Sequence, residues 1–170
     1  MTAENRGRAG GRSVLLLKRL LLGLWAAWMT VVFATNLLDA AKALGLLSES
    51  WAFASGNFRS LAETTARYGT PAWLDGFLFA GVIAWEGAAA LLFWLAWGTF
   101  RGRGKAGARL LYAAFTVGLT LWLAFAVADE AFVSYPVEAT HLRLFIAQLV
   151  TLLAVELLPE EPSPRPGGPT

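Results

Sequence analysis

Three stretches of this chain run so long without charge that only a lipid bilayer can receive them. Leu20 to Leu38 carries no charge over nineteen residues, Gly76 to Phe100 carries only Glu86, and Leu110 to Ala128 carries none. An α-helix rises about 1.5 Å per residue, so roughly twenty apolar residues cross the ~30 Å hydrocarbon core. The composition agrees, with 56% hydrophobic and only 15% charged residues. A soluble domain would carry about a quarter of its residues as charges.

A fourth run, Leu144 to Val155, is uncharged for twelve residues and reaches from Val137 to Leu158 if His141 and Arg143 are admitted. Runs of roughly 10 to 14 apolar residues can also lie in the interface, but Leu157 and Leu158 favour a crossing. The expected fold is therefore all-α: a membrane-embedded four-helix bundle with spans at about 16–38, 73–99, 109–130 and 138–158. Residues 1–13 read as a disordered basic N-terminus. Residues 159–170 read as a disordered tail, because four prolines in Glu160 to Thr170 cannot support a core.

Orientation follows from the basic residues. Arg6, Arg8, Arg12, Lys18 and Arg19 precede span one, and Arg101, Arg103, Lys105 and Arg109 fill the connection between spans two and three. The excess of Arg and Lys marks both as cytoplasmic, which puts both termini inside an inner membrane. The acids Asp39, Glu49, Glu63, Asp75, Asp129, Glu130 and Glu138 gather at the opposite, external ends. A cleavable signal peptide is the competing reading of span one, since Val32-Phe33-Ala34 faintly resembles a cleavage site, but the apolar run is too long for it.

Between spans one and two, residues 39–72 form the one sizeable connection, expected to be a partly helical external cap. Ser60-Leu61-Ala62-Glu63 has capping-box spacing and predicts a short helix to Tyr68. Trp51, Phe53 and Phe58 suit the headgroup region. Within the spans, small residues recur at four-residue spacing at Gly76, Ala80, Ala84 and Ala88, at Gly23 and Ala27, and at Ala114 and Gly118. Such stripes predict close helix approach.

The polar residues inside the spans bear most directly on function. Glu86 lies thirteen residues below Trp73, near the middle of span two. A carboxylate at that depth costs about 2.5 to 3.5 kcal/mol and faces a partner in the bundle interior. Arg143, near the start of span four, is the partner predicted for it. Asn36, Asp129, Glu130 and His141 fall at similar height, so the six residues are expected to form one intramembrane polar cluster. As a structural latch the cluster fixes which helices are neighbours. As a proton or ion path its acids titrate and His141 shuttles. As a metal site His141 joins Glu130, Asp129 or Glu138. A haem would need a second axial histidine, and the chain has one His. No cofactor is expected.

The stretches Asn36 to Asp39 (Asn-Leu-x-Asp) and Ile83 to Glu86 (Ile-Ala-Trp-Glu), the acid at Glu130 and the arginine at Arg143 together resemble a bacterial family known as predicted small integral membrane proteins. The resemblance covers about Leu20 to Leu158 and implies four spans and a bacterial inner membrane; that family has no established activity. The segment from Trp51 to Gly69 lacks the aspartate and proline of the family pattern.

No nucleophile and base pair, phosphate loop or zinc spacing occurs. Zero cysteines exclude thiolate chemistry within the chain. The net charge of +2 comes from membrane-flanking residues without the aromatic platform of a nucleic-acid groove, so nucleic acid is not an expected partner. The expected role is non-enzymatic: an accessory, assembly or stabilising subunit whose partners are the bilayer and other membrane-protein subunits, with no small-molecule substrate. The rival reading is a small transporter or channel component working through Glu86 and Arg143.

Overall fold

The computed structural model describes residues 3–101 and 105–159. Five α-helices follow one another: α1 Ala3–Ala43, α2 Asn57–Thr65, α3 Ala72–Thr99, α4 Lys105–Ala131 and α5 Tyr135–Leu157, with a 3₁₀ turn, Ala66–Tyr68, after α2. Four stretches are long and apolar enough to cross a membrane: Gly11–Ala43, Ala72–Thr99, Gly107–Ala131 and Tyr135–Leu157. The chain is a multi-pass membrane protein built as an all-α four-helix bundle.

Helix α1 begins well before its expected limit and, as its pattern predicts, continues past Leu38. It is helical from Ala3, inside the segment expected to be disordered, because extending a formed helix adds about one hydrogen bond per residue without a new nucleation cost. At the other end it stops where Gly45 takes φ 72°. Leu46 N–H then donates to Ala41 O and Gly45 N–H to Lys42 O, the paired bonds of a Schellman stop. Helix α4 ends the same way, with Ser134 N–H on Asp129 O and Val133 N–H on Glu130 O. Here the left-handed residue is Val133, at φ 57°. A β-branched residue is strained there. The proline-rich tail falls outside the described residues.

Helix α3 packs against α1 on one side and α4 on the other, and α5 packs along α4. Helix α5 meets α1 only lightly and does not approach α3 among the described residues. One contact closing the α1–α5 seam is Trp25, whose Nε1 donates to Thr151 Oγ1 at 3.0 Å. The core sits where α1, α3 and α4 converge. Phe93 is its centre, stacked on Trp25 with centroids 6.4 Å apart and edge-on to Phe115 at 5.1 Å.

The small residues of α4 face the interior as predicted, with Ala114 and Gly118 both buried, but those of α3 do not. Ala80, Ala84 and Ala88 of α3 and Ala27 of α1 are exposed along the outside of the bundle. The buried face of α3 is instead Asp75, Phe79, Ile83, Glu86, Ala89, Ala90, Phe93 and Ala96. A four-residue spacing marks a face but not which way it turns, and the large apolar side chains together with Glu86 claimed the interior. Where glycine matters, it receives a large side chain. A Cβ on Gly23 would stand 3.0 Å from Trp97 Nε1, one on Gly87 3.1 Å from the Phe33 ring, and one on Gly118 2.5 Å from Gln148 Oε1.

Two substitutions test these points by thermal unfolding in detergent. Val133→Gly raises stability by about 1 kcal/mol through relief of the left-handed strain. Gly118→Ala lowers it by about 1–3 kcal/mol through overpacking, and adding Gln148→Ala restores much of the loss.

Candidate functional site

The polar residues of the spans form two nodes rather than one cluster. In the first, Asn36 of α1 and Glu86 of α3 face each other in the interior, 2% and 1% exposed. Asn36 Nδ2 donates to both carboxyl oxygens, at 2.7 Å to Oε1 and 2.9 Å to Oε2. Asn36 Oδ1 in turn accepts from Asn57 Nδ2 of α2, at 2.9 Å. Two turns farther down, Met29 and Phe93 close the space beneath.

Asn57 can reach so deep because the connection dips into the bundle. Ser55 N–H donates to Thr35 O, eight residues before the end of α1, or about 12 Å below it. Asp39, one turn above Asn36, anchors the dipped segment: its Oδ2 accepts from Ser55 Oγ at 3.2 Å and from Phe58 N–H at 2.8 Å. The Phe58 amide lies in the first turn of α2, where helix N–H groups lack partners. Helix α2 is therefore capped by a residue of another helix. It starts three residues before the predicted capping box, behind Gly56 at φ 75°, with no side-chain cap of its own. Ser60 lies inside it.

Farther along the cap, Thr65 Oγ1 donates to Asp75 Oδ1 of α3 at 2.7 Å. Phe58 packs on Phe79 with centroids 5.4 Å apart, and Tyr68 packs edge-on to Phe132 while its hydroxyl donates to Ala131 O. The cap is thus held to α1, α3 and the end of α4.

The second node joins α4 to α5. His141 Nδ1 and Asp129 Oδ2 are hydrogen-bonded, and the imidazole stacks on Phe125 at 4.7 Å and on Trp122 at 6.3 Å. Glu130 and Arg143 belong to neither node; both are exposed. The predicted Glu86–Arg143 pair does not form, and the reason is rotational. Each residue turns a helix by about 100°, so with His141 facing α4, Arg143 two residues on points away from it. Helix α5 also stands one helix removed from α3.

The sequence reading missed several residues. Asp75 reads there only as a charge marking a side of the membrane, and Asp39 as that and as part of the Asn-Leu-x-Asp stretch, yet both are buried and bonded. Asn57 and Thr65 carried no signal at all. Gln148 is fully buried, and with Trp122 Nε1 its amide atoms have no hydrogen-bond partner in the protein. A glutamine midway along an apolar run was the available clue. Among the described residues, no three His, Asp or Glu side chains gather in a way that could hold a metal ion. In comparisons with known proteins, the chain matches no family model, no curated protein and no solved structure.

The two nodes make unequal demands on stability. Asn36→Ala leaves the Glu86 carboxyl buried without its donor and costs about 2–3 kcal/mol. Arg143→Gln changes stability by less than about 0.5 kcal/mol. Reversible unfolding in mixed micelles measures both.

Proposed function

We propose that this chain is a non-enzymatic accessory subunit that assembles with, or stabilises, a larger inner-membrane complex, and that the cap between α1 and α3 is its docking platform. In this proposal the cap is external, both termini are cytoplasmic, and the chain sits with the four-span bacterial proteins that it resembles. One observation supports the reading above others. Of the buried polar side chains in the cap half of α1 and α3, three, Asn36, Asp39 and Asp75, bond directly to the cap, and Glu86 reaches it through Asn36.

Burying polar groups in an apolar bundle is costly unless they are paired. That cost, met three times to hold one connection in a fixed shape, fits a connection whose shape matters. On its outside the connection presents Leu44, Leu46, Trp51 and Phe53, each about half exposed or more. Aromatic side chains held at low conformational freedom suit a protein–protein contact.

Glu86 favours a second reading, a component of a transporter or channel. It is buried beside an amide rather than a cation. The packed layer of Met29 and Phe93 below it gives no support to a path through this bundle alone.

Photo-crosslinking from Trp51 and Phe53 in native membranes, followed by purification in mild detergent, tests the main reading. A defined second polypeptide is expected, and Asp39→Ala, which removes the Ser55 and Phe58 bonds of the cap to α1, is expected to weaken the crosslink while helical content is kept. Recovery of a homogeneous chain with no crosslinked partner sinks it.

A further inference from the structure

We propose that Glu86 is a proton-binding site that exchanges with water on the cap side, with Asn57 as its lid and Asn36 as the group that registers whether the proton is bound. The proposal is independent of whether the cap docks a partner.

The surroundings of Glu86 show what can balance its charge. From α1 it meets Asn36, and one turn nearer the cap Asp39 is engaged by Ser55 and the Phe58 amide. From α2 comes Asn57, whereas Arg59 is exposed and bonded to Glu63 at 2.8 Å. Along α3, Asp75 is held by Thr65. On α4, Asp129 is held by His141 and Glu130 is exposed. Lys42 near the end of α1 bonds the Trp51 carbonyl and lies 4.0 Å from Glu49. Arg143 of α5 faces outward, and Lys18 lies eighteen residues from Asn36, about 27 Å along α1. No basic side chain among the described residues is hydrogen-bonded to Glu86. A buried carboxylate with amide donors alone is balanced by taking up a proton.

Access is built in. Glu86 is 1% exposed, Asn36 2% exposed, and Asn57 is exposed. The side chain of Asn57 is tied to this relay by a single hydrogen bond, to Asn36 Oδ1. Rotation of that side chain breaks one bond, moves no backbone and uncovers the amide that shields the carboxyl. Loading is a simple transfer: hydronium gives its proton to one carboxyl oxygen, an O–H bond forms, and water leaves.

Loading also changes what Asn36 must do. A carboxylate only accepts, and the Asn36 NH₂ serves both oxygens. A carboxylic acid donates from one oxygen and needs an acceptor. The Asn36 carbonyl is the acceptor at hand, so its amide turns over, Oδ1 toward Glu86, and the Asn57 amide, which now donates to Asn36, turns over with it so that Asn36 Nδ2 donates to Asn57 Oδ1. The proton thereby reverses the direction of the relay and is registered at the cap surface.

Infrared spectroscopy of the full-length chain in lipid films, perfused with buffers of stepped pH and then with D₂O, tests this. A carboxylic-acid carbonyl band is expected to grow as pH falls, to shift in D₂O, to vanish in Glu86→Gln and to move in Glu86→Asp. In Asn57→Ala, whose change lies on the exposed cap and leaves the carboxyl intact, hydrogen–deuterium exchange of that band quickens about fivefold, the equilibrium weight of one lost hydrogen bond. Acid bands whose growth with falling pH is the same in Glu86→Gln and Glu86→Asp as in the wild type overturn the site. A band whose exchange ignores Asn57→Ala overturns the route, even if Glu86→Gln fails to fold.

Discussion

The hydrogen bonds from Asn36 to Glu86 are the constraint around which the cap half of the bundle is arranged. Lipid offers α1 and α3 no hydrophobic reason to prefer each other over acyl chains, so their choice rests on packing and on polar pairs. A carboxyl group at this depth has few acceptable neighbours. Asn36 is one, and once it faces Glu86 the rotation of both helices is set. That rotation points Asp39 and Asp75 at the cap, which is why one buried pair also determines where the connection can be tied down. Asn57 completes the arrangement by occupying the carbonyl that the pair leaves over.

Below this layer the bundle is held by shape. Gly23, Gly87 and Gly118 receive Trp97, Phe33 and Gln148 respectively, each on a neighbouring helix. The helices are brought together by large side chains seated against missing ones. This differs from the close backbone approach that small-residue stripes produce, and it suits a chain with eight tryptophans and eleven phenylalanines. Large flat side chains fill volume between helices and pair through their edges, as Phe93 and Phe115 do.

Depth was legible in the sequence and azimuth was not. Uncharged runs locate the spans because the bilayer sets a length that each must meet, and the same rule correctly made Glu86 a buried residue. Facing is decided by the competition of all side chains around a helix, which spacing alone does not resolve. So Arg143 stands on the exposed side of α5 rather than toward Glu86, and Ala80, Ala84 and Ala88 stand on the exposed side of α3 rather than at a helix contact. The cap was read as partly helical, with its helix started too late. Its first-turn amide is satisfied by Asp39 from eighteen residues upstream of the helix start, a partner that no local pattern announces. Gln148 was passed over because a neutral amide does not interrupt an uncharged run, although its burial without partners makes it as unusual as Glu86.

The two nodes also divide the bundle mechanically. On the α1–α3 side, hydrogen bonds run continuously from Glu86 to the cap surface, and the cap bonds back onto both helices. On the α4–α5 side, His141 and Asp129 close the turn end of a hairpin whose turn carries strain at Val133, while Gln148 brings its amide to the middle without a partner in the protein. Strain and unmet hydrogen bonds raise the free energy of a packed arrangement relative to its alternatives. Of the four spans α5 buries the fewest side chains, Gln148 and Val155, and it meets α1 only lightly.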